Sequence, residues 1–130
     1  MRTLLLAALA PLLIGLLGCS TAKGVPLDAT VPVQGTVQLD GKPLAEGEIT
    51  FAVDGKPPQI AAITQGAYSG KAIPGANRVE VAVYRTETDP MTGEPMKVNT
   101  LPPRYSFQSK LTAQVADSGA NQFDFQVQSK

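Results

Sequence analysis

The sequence predicts an all-β protein, folded as a single antiparallel β-sandwich of seven strands. Beyond position 33, apolar residues recur with a period of two, the spacing that turns one face of a strand inward and the other to solvent. No stretch after the N-terminal segment keeps a 3.6-residue period over helical length. Gly, Pro, Asp and Asn fall between the alternating runs, where a chain that reverses repeatedly needs them. Strands with one apolar face bury it most simply against a second sheet, so a sandwich follows.

The first element stands outside that domain. Arg2 precedes an apolar run from Leu4 to Leu17, 14 residues long, or about 21 Å of helix. A hydrocarbon core is about 30 Å thick, and Pro11 and Gly15 interrupt the run. Residues 1–18 therefore read as a secretory signal; an ordinary signal peptide cut nearby and an uncleaved anchor are the alternatives. The segment closes with Leu16-Leu17-Gly18-Cys19, which resembles the lipobox of bacterial lipoproteins. That resemblance implies cleavage before Cys19, a diacylglyceryl group on its thiol, and an anchor in the cell envelope. Ser20 stands where an aspartate often signals inner-membrane retention, so the analogy favours the outer membrane. Cys19 is the only cysteine, and lipidation accounts for an otherwise surplus thiol in an exported chain.

Residues 19–32 are small, polar and proline-containing, and read as a flexible tether, although Val31 to Val33 could already form an edge strand. The domain is expected over residues 33–130. Val33, Gly35, Val37 and Leu39 define the first strand, and Asp40-Gly41 supplies the residues that tolerate positive φ at a reversal. Ile49, Phe51 and Val53 mark the next. Gln59 to Thr64 and Ala67 to Ser69 make a further pair. Pro74-Gly75 turns the chain into a strand carrying Val79, Val81 and Val83. Leu111, Ala113 and Val115, then Phe123, Phe125 and Val127, complete the set, with Asp117 to Asn121 as the reversal between them.

These motifs carry a family resemblance. Val33-x-Gly35-x-Val37-x-Leu39-Asp40-Gly41-Lys42-Pro43-Leu44-Ala45, Ile49-Thr50-Phe51, Thr64-Gln65-Gly66-Ala67-Tyr68, Ile73-Pro74-Gly75 and Val79-Glu80-Val81 resemble the carboxypeptidase regulatory-like, or transthyretin-like, domain. Pro103-Arg104-Tyr105, Ser109 to Thr112 and Asn121 to Phe125 are similar to a form of that domain found in short bacterial lipoproteins. The resemblance implies a transthyretin-like or immunoglobulin-like sandwich and an accessory, non-catalytic role. One position departs from the pattern: Asn77 stands where an aromatic usually follows the Pro-Gly turn.

Composition narrows the chemistry. The sequence has no histidine, so the commonest general base and the usual nitrogen ligand of zinc are missing. Relatives of this fold that hydrolyse purine-derived substrates depend on histidines, and that activity does not carry over. Removing residues 1–18 costs only Arg2 among the charges, leaving ten basic against eleven acidic residues and no electrostatic footprint for nucleic acid. Glu46 and Glu48 lie two apart on one strand face and read as protection of an edge strand rather than as an acid–base pair. Asp117, Gly119, Asn121 and Asp124 lack the full spacing of a calcium loop and read as turn chemistry. Lys71, Arg78, Arg85 and Arg104 fall on different elements and read as scattered surface charge. No cofactor or metal is expected.

One segment exceeds structural need. Arg85 to Lys110 is 26 residues, against about 12 to 15 for the longest plain connections. Asp89-Pro90-Met91-Thr92-Gly93 reads as a tight turn, which makes the segment a projecting hairpin. Asn99 to Tyr105 reads as a stiff, extended, exposed stretch carrying an arginine and a tyrosine, residues favoured in binding surfaces. Tyr84, Met91, Arg104 and Tyr105 are the candidate partner contacts. The expectation is a tethered, non-enzymatic structural or protein-binding module of the envelope; the alternative is a small-ligand or carbohydrate-binding domain, or an enzyme, on the same fold. The chain has no tryptophan to stack on a sugar ring.

Overall fold

A computed structural model describes residues 29–130. The signal segment, Cys19 and most of the expected tether lie outside the described residues. The fold is all-β and sandwich-like, with a main sheet curled into a half-barrel. The described residues form ten strands: β1 (Val31–Leu39), β2 (Lys42–Pro43), β3 (Glu46–Ala52), β4 (Gln59–Thr64), β5 (Ala67–Ala72), β6 (Gly75–Ala82), β7 (Tyr84–Thr88), β8 (Pro95–Asn99), β9 (Leu111–Val115) and β10 (Phe125–Val127). A 3-10 turn at Pro103–Tyr105 is the only helical element among the described residues.

The expected count of seven rises to ten for two reasons. The Asp40-Gly41 reversal, with φ of 52° and 82°, is tight enough for Lys42 and Pro43 to pair back onto Leu39 and Gln38 as a separate strand. The long segment after Val83 contributes its own pair, β7 and β8. The domain also begins two residues before the expected boundary, since Val31 and Pro32 pair with Ala72 and Lys71.

The main sheet runs β10-β1-β5-β4-β3-β6-β9, with β2 on β1. Pairing is antiparallel throughout except between β1 and β10, which run parallel over Val37–Leu39 and Phe125–Val127; the antiparallel expectation fails there. The reason lies in the two edges of β1: one pairs with β5 through Thr36 and then changes partner to β2 at Gln38, while the other meets the last segment in parallel, from the Gln34–Gln122 bridge to β10. A strand that changes partners turns the sheet's corner and curls it.

Alternation is carried into burial as the spacing requires. Val33 and Val37 on β1, Ile49 and Phe51 on β3, Ile63 on β4, Val79 and Val81 on β6, Ala113 and Val115 on β9, and Phe125 and Val127 on β10 form one core cluster. The register sets Ile49 beside Val81 and Phe51 beside Val79. Phe51 packs its ring 5.9 Å from Tyr68 and 6.3 Å from Phe123, a tilted aromatic trio of the favoured geometry.

Asn77, on the inward face of β6, is 1% exposed. Its amide donates to the carbonyls of Ile73 (2.8 Å) and Gly75 (3.1 Å), pinning the Pro74-Gly75 turn. An aromatic could fill the same space but could not satisfy those carbonyls. The amide's own oxygen is buried with no hydrogen-bond partner among the described residues.

Candidate functional site

The hairpin β7–β8 forms a sheet of its own, with Tyr84 opposite Asn99, Thr86 opposite Lys97 and Thr88 opposite Pro95. Its tip is held by side-chain and backbone bonds. Asp89 donates its N–H to the Glu94 carbonyl, its own carbonyl accepts from Gly93, and its carboxylate accepts from the Met91 N–H, each at 2.8 Å. Gly93 takes φ of 73°, a conformation that favours glycine. On this fixed turn Met91 is 93% exposed. At the base, the Asn99 side-chain oxygen accepts from Val83 (3.2 Å) and Leu101 (3.1 Å), and the Thr100 N–H bonds the Val83 carbonyl (2.8 Å). Leu101 enters the core beside these bonds, so the hairpin is clamped where it leaves the sheet.

Strand alternation gives the hairpin two faces. Tyr84, Thr86 and Lys97 share one, and together with Glu46, Glu48 and Thr64 line a groove of about 430 Å3. Arg85, Glu87, Met96 and Val98 occupy the other, where Arg85 and Glu87 form an ion pair. The carboxylates of Glu46 and Glu48 therefore do not protect an edge. β3 lies between β4 and β6, with Glu48 paired to Ala62 on one side and Ala82 on the other, because the β6 strand returns alongside β3 rather than across the sheet.

Arg104 and Tyr105 lie elsewhere. The Pro102-Pro103 pair starts a 3-10 turn rather than an extended stretch: the Tyr105 N–H reaches the Pro102 carbonyl (3.1 Å) and Ser106 that of Pro103 (3.0 Å). Pro103 suits a first helical position because its fixed φ is already helical and it has no N–H to satisfy. The turn presses Tyr105 against the core and brings its hydroxyl oxygen to the Gln128 N–H (3.0 Å). The Arg104 guanidinium sits 4.9 Å over the Tyr105 ring and donates to the Lys130 carbonyl. Tyr105 thus fastens the C-terminal segment, while Arg104 stays exposed.

The four expected contact residues accordingly divide. Tyr84 and Met91 belong to the hairpin; Arg104 and Tyr105 line a second, open groove of about 880 Å3 along the β6–β9 flank. Arg78, Phe107, Lys110 and Leu111 complete its apolar and basic lining. The expectation of scattered charge is half corrected, since Arg78 and Arg104 come together there, whereas Arg85 is paired on the hairpin and Lys71 stands on β5. Sequence reasoning missed Phe107 and Lys110. The available signal was Phe107 itself, a large aromatic outside every alternating run.

The loop from Asp117 to Asp124 follows its expected turn chemistry. Gly119 takes φ of 84°. Buried Asn121 brackets Ala116, accepting from its N–H (2.8 Å) and donating to its carbonyl (3.0 Å). Asp124 accepts from the Thr36 N–H (2.9 Å) and hydroxyl (3.0 Å), which anchors the start of β10 against β1.

No family model and no curated protein matches the chain. Among solved structures, the chain is similar to a 9R-lipoxygenase from Cyanothece PCC8801, with 14% identity, a TM-score of 0.44, and 79% of this chain aligned to 17% of that one. The chain thus spans under a fifth of that protein's length, and a likeness at this level carries no argument about activity.

Proposed function

We propose that the protein is a lipid-anchored, non-catalytic module of the bacterial cell envelope, tethered through Cys19 with the outer membrane favoured, and that it engages an envelope protein through the β7–β8 hairpin. The lipobox-like run supports the anchor, and the motif order resembling the carboxypeptidase regulatory-like domain supports an accessory role. The observation that carries the binding role is Met91, an apolar side chain 93% exposed on a tip that Asp89 holds rigid. A fixed apolar tip loses little entropy on docking, the condition under which a few exposed side chains dominate binding.

Topology gives the tip its reach. The chain enters β1 at Val31, opposite Ala72, and β6 starts three residues after Ala72. The hairpin rises from the other end of β6, eight residues on, or about 26 Å along the sheet. Chain entry and the hairpin are therefore at opposite ends of the domain, which supports the hairpin as the surface presented away from the anchor.

The test pairs two measurements on envelope preparations. Intact mass should begin at Cys19 with added acyl chains and lose them in Cys19→Ala. A photo-crosslinking residue at position 91 or 84 should give a discrete adduct that the same residue at Thr112 does not. Equal labelling at all three positions would remove the hairpin as the contact.

A further inference from the structure

The second groove has a chemistry of its own. Phe107 is 71% exposed and lines the groove with half-buried Tyr105 and Leu111 and with Arg78, Arg104 and Lys110; among the described residues no carboxylate shares the lining. Part of that charge is spoken for: Arg78 pairs with Glu80 at 3.0 Å, and Arg104 is held by Lys130. Lys110 has no ion pair among the described residues. The groove floor is fixed by Ser109, whose hydroxyl donates to the Val79 carbonyl and accepts from the Leu111 N–H (3.2 Å). An exposed aromatic on a fixed turn, with cations in the same groove, is an arrangement by which peripheral proteins seat on an anionic bilayer: the ring enters the headgroup layer and the cations meet phosphate.

We infer that this flank, with Phe107 at its centre and Arg104 and Lys110 beside it, is a docking surface for anionic phospholipid headgroups, which lays the domain against the membrane. The choice of a bilayer as occupant rests on the anchored reading. Eleven residues, 20–30, separate Cys19 from β1, and about 3.3 Å each limits the separation to roughly 36 Å. At that distance the flank is within reach of the lipid surface.

The chain contains no tryptophan, so Phe107→Trp places a single reporter in the full-length protein. The purified chain would be incorporated in phosphatidylcholine vesicles with and without phosphatidylglycerol, both sets carrying brominated acyl chains. The expected result is blue-shifted, bromine-quenched emission with phosphatidylglycerol, diminished by high salt and by Lys110→Gln but not by Lys71→Gln. Each cation near such a surface is worth about 1 kcal/mol, so Lys110→Gln should weaken docking about fivefold. Emission that stays water-exposed in both vesicles, or quenching indifferent to lipid charge and to Lys110, overturns the proposal. Intact mass of the same sample separates the two readings: an acylated chain with a water-exposed reporter rejects the docking surface alone, and an unacylated chain that still shows the charge-dependent shift rejects the anchor alone.

Discussion

Tyr68 faces Gly35 across the β1–β5 ladder and donates its hydroxyl to the Phe123 carbonyl, 2.7 Å away. The contact exists because Gly35 has no side chain. A Cβ there would lie 1.8 Å from the Phe123 oxygen and 2.9 Å from the Tyr68 hydroxyl. The Gln34 backbone meets the same segment, its N–H bonding Asn121 and its carbonyl accepting from Phe123, both at 3.0 Å. Gly35 is thus the gap through which the last segment of chain reaches the sheet.

Gly35→Ala should therefore destabilise the domain by about 3 kcal/mol, because the Phe123 backbone has to move out of its ladder. Tyr68→Phe keeps the ring and loses one hydrogen bond, leaving a carbonyl partly unsatisfied, and should cost about 1 to 2 kcal/mol. Urea unfolding of the two variants measures both. Equal midpoints for Gly35→Ala and the parent chain would refute the close approach.

Tyr68 also predicts an alkaline response. Burial, and secondarily the charge of Asp124, raise its phenol well above the ordinary 10.0. The unfolded chain then loses the proton first, so the Tyr68 contribution is constant below about pH 10 and falls as pH climbs beyond it. The stability difference between the parent and Tyr68→Phe should accordingly narrow above pH 10. A difference independent of pH from 8 to 11 would contradict it.

Much of the fold was legible because alternation and turn chemistry are local. The valines of β1 and β6 and the Asp40-Gly41 reversal each declare their state within a few residues. The parallel β1–β10 pair was not legible, because it depends on the last segment returning along the edge of β1 that β5 leaves open, and nothing within either strand announces that. The site was legible only as a length anomaly. Met91 could be read off the turn that carries it, but Arg78, Arg104 and Lys110 share a groove only because Pro103 folds the chain into a 3-10 turn, which the Pro-Pro run made look extended. Asn77 looked like a flaw in the pattern, since its value lies in two carbonyls that the tertiary turn brings to it.

Asn77→Leu tests that value. The substitution keeps the branched shape, at a larger volume, and relieves the unpartnered amide oxygen, yet it strips the Ile73 and Gly75 carbonyls of their donor. Two lost bonds outweigh one relieved atom, so thermal unfolding should show a net loss of about 1 to 3 kcal/mol. A stabilised variant would mean that the orphaned oxygen dominates.

The C-terminal segment should release in acid. Asp40 accepts from the Ser129 hydroxyl (2.6 Å) and N–H (3.0 Å), and these bonds hold its carboxyl below the ordinary 3.8. A depressed carboxylate contributes above its unfolded value and loses that contribution as pH falls through the lower, folded one. The protection of the Ser129 amide, corrected for intrinsic exchange, should fall only below about pH 4, and Asp40→Asn should abolish that fall. Because Asp40 is exposed, global unfolding should barely respond.

Binding and stability should separate cleanly at the hairpin tip. Met91 touches none of the core cluster, and the Asp89 bonds that shape the turn use the Met91 backbone rather than its side chain. Met91→Asp should therefore leave unfolding within about 0.5 kcal/mol of the parent, while reducing crosslinking from position 84 to background, since a charge at the centre of an apolar contact must be desolvated without a partner. Asp89→Ala should weaken capture by a different route: it keeps the methionine but removes the side-chain bond to the Met91 N–H and so loosens the tip. If Met91→Asp captures as well as the parent chain, the apolar tip is not the recognition element, and the exposed Tyr84 face of the hairpin must carry the contact instead.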